Sequence, residues 1–95
     1  MKLVISQAAA ADIERLHAFL AREHPAAAAH AAKVPIDGVQ SLATLPERGR
    51  PSGTRDMREL ILPFGRSAYV LRYSYSAPAD ESVVHRIWHG REERE

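Results

Sequence analysis

The side chains of this 95-residue sequence that could move a proton or hold a phosphate gather in its C-terminal half. His89, Glu59, Arg72 and Tyr73 supply an imidazole, a carboxylate, a guanidinium and a phenol, the groups an RNA-cleaving site needs if strands bring them together. Plainer roles are open to the same residues: Tyr73 as a core side chain, Glu59 as the ion-pair partner of a neighbouring strand, His89 as a solvated strand end. No general spacing rule specifies an active site here, so the plainer roles are favoured.

Five histidines invite a metal reading that their spacing does not support. His85 and His89 lie four apart, which on a regular strand puts both on one face with Cα atoms roughly 13 Å apart. They cannot share a zinc ion, and His17, His24 and His30 have no thiol or carboxylate pattern around them. Neither a metal nor another cofactor is expected. Cysteine is absent, which excludes disulfides and thiolate chemistry.

Trp88 alternates with Val84 and Arg86, on the face that carries Arg72 if the sheet is regular. An aromatic flanked by arginines on an uncovered face suits a protein partner or the stacking of a base, and it could equally be the lid of a minor core; partner contact is favoured because the helices can cover only one face. A net charge of +1 gives no global field for generic nucleic-acid binding. Locally the balance differs: Arg48, Arg50, Arg55, Arg58, Arg66 and Arg72 stand against only Asp56 and Glu59, forming a cationic region.

The elements that must position these residues follow from periodicity. Residues 68–75, AYVLRYSY, put Tyr69, Leu71, Tyr73 and Tyr75 on one face of a half-buried strand and Ala68, Val70, Arg72 and Ser74 on the other. Residues 57–62 and 82–89 flank it across a turn at 63–65 and a loop at 77–80, so a three-stranded antiparallel meander is expected. Residues 2–6 read as an N-terminal strand. Over residues 8–23, Ile13, Leu16, Phe19 and Leu20 recur at helical spacing, with Asp12 and Glu14 placed near the favourable N-terminal end. Pro25 opens a second helix toward Leu45, with a kink or break expected near Val34 because Pro35 and Gly38 follow. Residues 46–56 are a loop rich in turn formers. The two helices form a hairpin on one face of the sheet, with Ile13, Leu16, Leu20, Val39, Leu71 and Tyr73 in the core. The expected class is α+β, one domain over residues 1–95. Without a signal-peptide run or a membrane-length apolar segment, the expected location is cytoplasmic, with no membrane contact.

Four local pieces, LPERGRP, MREL, YVLRY and VVHRIWHGRE, occur here in an order that resembles the RelE/ParE superfamily of bacterial type II toxin–antitoxin toxins over nearly the whole chain. The ending RIWHGRE is the most specific and resembles plasmid-stabilisation toxins of the ParE branch. The resemblance implies a RelE/ParE-like fold, a growth-inhibiting toxin and a cognate antitoxin that neutralises it. Two targets are open under it. RelE-type members cleave messenger RNA on the ribosome with a basic sheet face, whereas ParE-type members lack that residue set and inhibit DNA gyrase. Val70 stands where the nuclease pattern commonly has an arginine, and Trp88 where nucleases often offer His or Tyr, which favours gyrase binding without catalysis. If the chain is an endoribonuclease, His89, Arg72 and Arg86 are its catalytic candidates. The partner-binding set expected under either target is Trp88, Arg72, Arg86, Arg58 and Arg91. A non-toxic protein-binding module is the third reading. Pro35, inside a helix usually continuous in the family, and His85, where an aliphatic residue is usual, are departures from the family pattern.

Overall fold

The computed structural model describes residues 2–23, 25–26, 33–53, 56–64 and 67–90. In chain order its elements are β1 (Lys2–Ile5), α1 (Gln7–Glu23), α2 (Lys33–Ser41), β2 (Arg50–Pro51), β3 (Met57–Phe64), β4 (Ser67–Ser76) and β5 (Glu81–His89). All the strands join one sheet in the order β1-β5-β4-β3-β2. The meander β3-β4-β5 is antiparallel, β2 pairs antiparallel with β3, and β1 lies parallel beside β5.

Ser6 joins β1 to α1 by serving both. Its N–H donates to the Val84 carbonyl at 3.0 Å, as a strand residue would, while its hydroxyl accepts the Ala9 N–H at 3.0 Å. The second bond satisfies one of the amides a helix start leaves open. From there Leu16 and Leu20 point into the core, with Ile13 and Phe19 partly buried against it.

The second helix differs from expectation. Its alanine-rich beginning, residues 27–32, lies outside the described residues. The described part of α2 begins at Lys33, beside the break expected near Val34, and runs through Pro35 and Gly38. Pro35 is third in this helix, within the first turn, where a missing N–H removes no intrahelical bond. Gly38 is a contact position: a Cβ there would lie 2.3 Å from Leu62 Cδ1, so the bare backbone lets α2 rest directly on β3. The helix stops at Ser41, short of Leu45, as Leu42, Ala43 and Thr44 tighten to carbonyls three residues back.

Tyr69, Leu71 and Tyr73 of β4 are fully buried beneath the helices, with Leu60, Leu62, Val84 and Ile87 beside them and Val39 and Leu42 above. The expected core is therefore present, Ile13 being its one partly buried member. Tyr73 does more than fill space, because its hydroxyl accepts the Gly49 N–H at 2.7 Å and so fixes the segment leading into β2. A Cβ on Gly49 would meet Tyr73 Cε1 at 2.7 Å and the Glu59 carbonyl at 3.0 Å.

β2 was not expected, since its segment read as loop. It pairs Arg50 with Glu59 and Pro51 with Arg58. Met57 accepts the Ser52 N–H at 3.1 Å, so alternation turns the backbone groups of Glu59, Ile61 and Pro63 to this same edge. Among the described residues no strand pairs with that edge beyond Glu59. Pro63 has no N–H to offer there, which blunts the edge against strand addition.

Candidate functional site

On the face of the sheet turned away from the helices, Glu59, Arg72 and Arg86 fall in one row across β3, β4 and β5, and Ile61, Val70 and Trp88 in the next. Two arginines directly opposite one another repel unless something else holds them. Each has its own carboxylate. Arg72 donates through Nε and Nη2 to Glu59 Oε2 at 3.3 and 2.9 Å. Arg86 donates through Nε to Asp12 Oδ2 at 2.8 Å and through Nη2 to Oδ1 at 3.2 Å. Both guanidinium groups also lie over the indole of Trp88, with carbons 4.8 and 5.2 Å from the ring centroid, a cation–π contact on each. Beneath them Trp88 is only 3% exposed.

Asp12 reaches this row from α1. Its carboxylate is buried, and besides Arg86 it accepts from Arg15 and from the Ile87 N–H at 2.8 Å. Arg15 Nη2 in turn donates to the Ile87 carbonyl at 3.1 Å. β1 ends at Ile5, level with Val84, so the two helix side chains take the place of a strand neighbour for Ile87. Burial pushes the Asp12 carboxyl pKa up, but the hydrogen bonds from Arg86, Ile87 and Arg15 outweigh it and hold the group below its usual value of 3.8.

The register carries an irregularity that strict alternation does not foresee. Arg72 pairs with Arg86 but Tyr73 pairs with Val84, leaving His85 as an extra residue, a β-bulge. Val84 is consequently buried with Ile87 on the helix side and does not share a face with Arg86 and Trp88. His85 and His89 do not share a face either. His89, read as a solvated strand end or a catalytic base, is 7% exposed and packs its ring 5.6 Å from those of Tyr69 and Phe19. Its place on the core side corrects the reading of a solvated strand end. His85 lies on the open side, its Nε2 2.9 Å from Ser74 Oγ and its carbonyl accepting the Ser6 hydroxyl at 3.0 Å.

Of the expected partner-binding set, the structure brings Arg72, Arg86 and Trp88 together. Arg58 sits elsewhere, donating through Nη1 to the carbonyls of Glu47 and Gly49 at 3.2 and 2.7 Å, where it braces the segment before β2. Arg91 lies outside the described residues. Glu59 has the ion-pair role read for it and Tyr73 the core role. Asp12 was assigned to the helix dipole, yet it is the sixth residue of α1 and faces β5. A signal for this was present: Ala9, Asp12, Leu16 and Leu20 form one buried stripe, and a carboxylate in such a stripe needs a partner. Among the described residues no three His, Cys, Asp or Glu side chains converge as a metal site would require, and no described helix is long and apolar enough to cross a membrane. The open face is thus a surface of bridged cations over a covered aromatic, with the outer parts of both guanidinium side chains in solvent.

A helix-covered sheet in this strand order has the architecture of the RelE/ParE-type toxins. It superposes on a solved structure described as the chromosomal ParDE TA system from P. aeruginosa with a TM-score of 0.76, covering 94% of this chain and 95% of that one at 24% identity, a likeness of fold. The family model described as "ParE toxin of type II toxin-antitoxin system, parDE" matches residues 3–94, and the chain belongs to that family. Toxin RelE1 of Caulobacter vibrioides is 40% identical over 94 residues, 97% of this chain and 96% of that protein. Toxin RelE3 of the same organism is 34% identical over 83 residues, 87% of each. The protein is a type II toxin–antitoxin toxin.

Proposed function

We propose that this toxin inhibits growth by binding DNA gyrase, and that a cognate antitoxin neutralises it by covering the open sheet face around Arg72 and Arg86. The observation that carries the gyrase reading is the state of those two arginines. Each is engaged by a carboxylate of its own chain and stacked on Trp88, whereas a nuclease must hold a cation and a proton acceptor within reach of one phosphate. The histidine of the RIWHGRE ending, His89, is packed in the core. The fold and the ParE family match support this branch, and the guanidinium edges offer donors to the carboxylates and carbonyls of a protein surface.

Cleavage of translated messenger RNA is the second reading, and one contact favours it. His85 and Ser74, joined at 2.9 Å, lie on the same side of the sheet as Arg72 and provide an imidazole that His89 does not. Relatives that carry the name RelE point the same way.

The deciding experiment induces the chain without its antitoxin and follows plasmid supercoiling, DNA breakage and messenger-RNA integrity in the same cells. Lost supercoiling or broken DNA with intact messages supports gyrase. Rapid message cleavage with normal supercoiling, abolished by His85→Ala, would replace this reading with the second. Neither effect would leave a protein-binding module.

A further inference from the structure

The sheet has two unlike edges. At one, Pro51 and Pro63 have no N–H to turn outward. At the other, β1 has neither a proline nor a bulge, and its register with β5 runs unbroken from Lys2 to Ile5. Lys2 and Ser6 donate their N–H groups to the carbonyls of Asp80 and Val84 at 3.0 Å, so alternation turns the N–H and C=O of Leu3 and Ile5 away from β5. Among the described residues no strand lies beyond β1 and no backbone group pairs with these. An unblunted edge of this kind is a template for another strand. We propose that β1 joins two copies of this chain, antiparallel about a two-fold axis at Val4, into one continuous sheet.

A second copy fits because the edge is complementary to itself. With Leu3 opposite Ile5 of the second copy, and Ile5 opposite its Leu3, every outward N–H meets an outward carbonyl. Other registers waste these groups: centring on Leu3 carries Ile5 past the start of β1, and centring on Ile5 sets Leu3 against Gln7, which is already helical. The side chains agree with the same register. Leu3 and Ile5 share the helix side with their partners Ser82 and Val84, and Ile5 is 45% exposed there. In the pair it lies against Leu3 of the second copy, an apolar cross-strand contact. Lys2, the one charge on β1, falls opposite Ser6 and not opposite the other Lys2, and a net charge of +1 per chain opposes association little. Strands of four residues make a small interface, so the dimer is weak and reversible. Its axis runs perpendicular to the sheet and turns both arginine faces the same way. The pairing stands whichever cellular target the toxin has.

Sedimentation equilibrium of the full chain should show a dimer that grows in between about 10 µM and 1 mM, the range of a small, transient contact. The register has its own readout, because the chain has no cysteine of its own. Val4 would form a non-hydrogen-bonded pair across the axis, with Cα atoms about 4.5 Å apart and within disulfide reach. Val4→Cys in a glutathione buffer should therefore cross-link at least about tenfold faster than Lys2→Cys, whose two copies stand roughly 13 Å apart along the strands. Ile5→Pro removes an N–H that the single chain does not use, at an edge position where proline is tolerated, and should weaken the dimer about tenfold while circular dichroism stays that of the parent. If that variant fails to fold, Ile5→Lys at the same exposed position makes the comparison. A chain still monomeric at about 1 mM, equal cross-linking of the two cysteine variants, or an unchanged dimer in a folded position-5 variant would each overturn the proposal.

Discussion

The carboxylate of Asp12 accepts the backbone N–H of Ile87 at 2.8 Å, so a helix side chain near one end of the sequence completes the hydrogen bonding of a strand near the other. Because Arg15 returns a bond to the carbonyl of the same residue, α1 is fastened to β5 at a single peptide register.

That contact makes stability depend on acid. The Asp12 pKa is lowered in the folded chain, so its contribution is present above the unfolded value near 3.8 and is lost as pH falls through the lower folded value. Melting measured from pH 7 down to pH 2 should show a loss in this window that Asp12→Asn lacks. At pH 7, Asp12→Ala should cost about 1–3 kcal/mol, since a buried N–H and Arg86 both lose their acceptor. A variant as stable as the parent would show that Ile87 finds another partner.

Trp88→Ala should destabilise the free chain by about 3–5 kcal/mol, the usual cost of emptying a buried aromatic site. It also strips the shared platform from two like charges. Denaturant titration distinguishes this from a pure interface role, which would weaken antitoxin binding and leave the unfolding midpoint in place.

Leu71→Ala, at the centre of β4, should cost about 2–5 kcal/mol. A change below about 0.5 kcal/mol, the scatter of surface substitutions, would mean that the faces of β4 are reversed.

Tyr73→Phe should cost about 1–2 kcal/mol, because the buried Gly49 N–H then lacks its acceptor. Gly49→Ala disturbs the same contact from the other side. The two changes together should cost less than their sum, and an additive double-mutant cycle would separate them.

The meander and α1 were legible because each repeats one period over many residues: Tyr69, Leu71 and Tyr73 at every second place, Leu16 and Leu20 at helical spacing. Pairing of β2 was not legible. It rests on backbone bonds within a segment whose Gly49, Pro51, Ser52 and Gly53 carry turn signals, and two residues cannot show an alternation. The bulge was hidden for a different reason. Val83 and Val84 are both apolar, so the sequence does not mark where β5 changes face, and Val84 and His85 were assigned to the wrong sides as a result. The arginines and tryptophan of the site were found, because unlike charges and a large aromatic stand out in a strand. Their carboxylate partners come from distant positions, and only Glu59, on the neighbouring strand, was recognised; Asp12 looked like any other helical acid.

The parallel pairing of β1 with β5 also orders events in time. Lys2 to Ile5 have their sheet partners at residues 81–84, and Ser6, Asp12 and Arg15 fasten onto residues 84–87. While the ribosome is still making the chain, the pairings of β1 and the bonds from α1 to β5 stay unmade until β5 emerges. Long-range pairings of this kind close late and slowly. A partly synthesised chain therefore leaves its core unsealed and cannot present the arginine face.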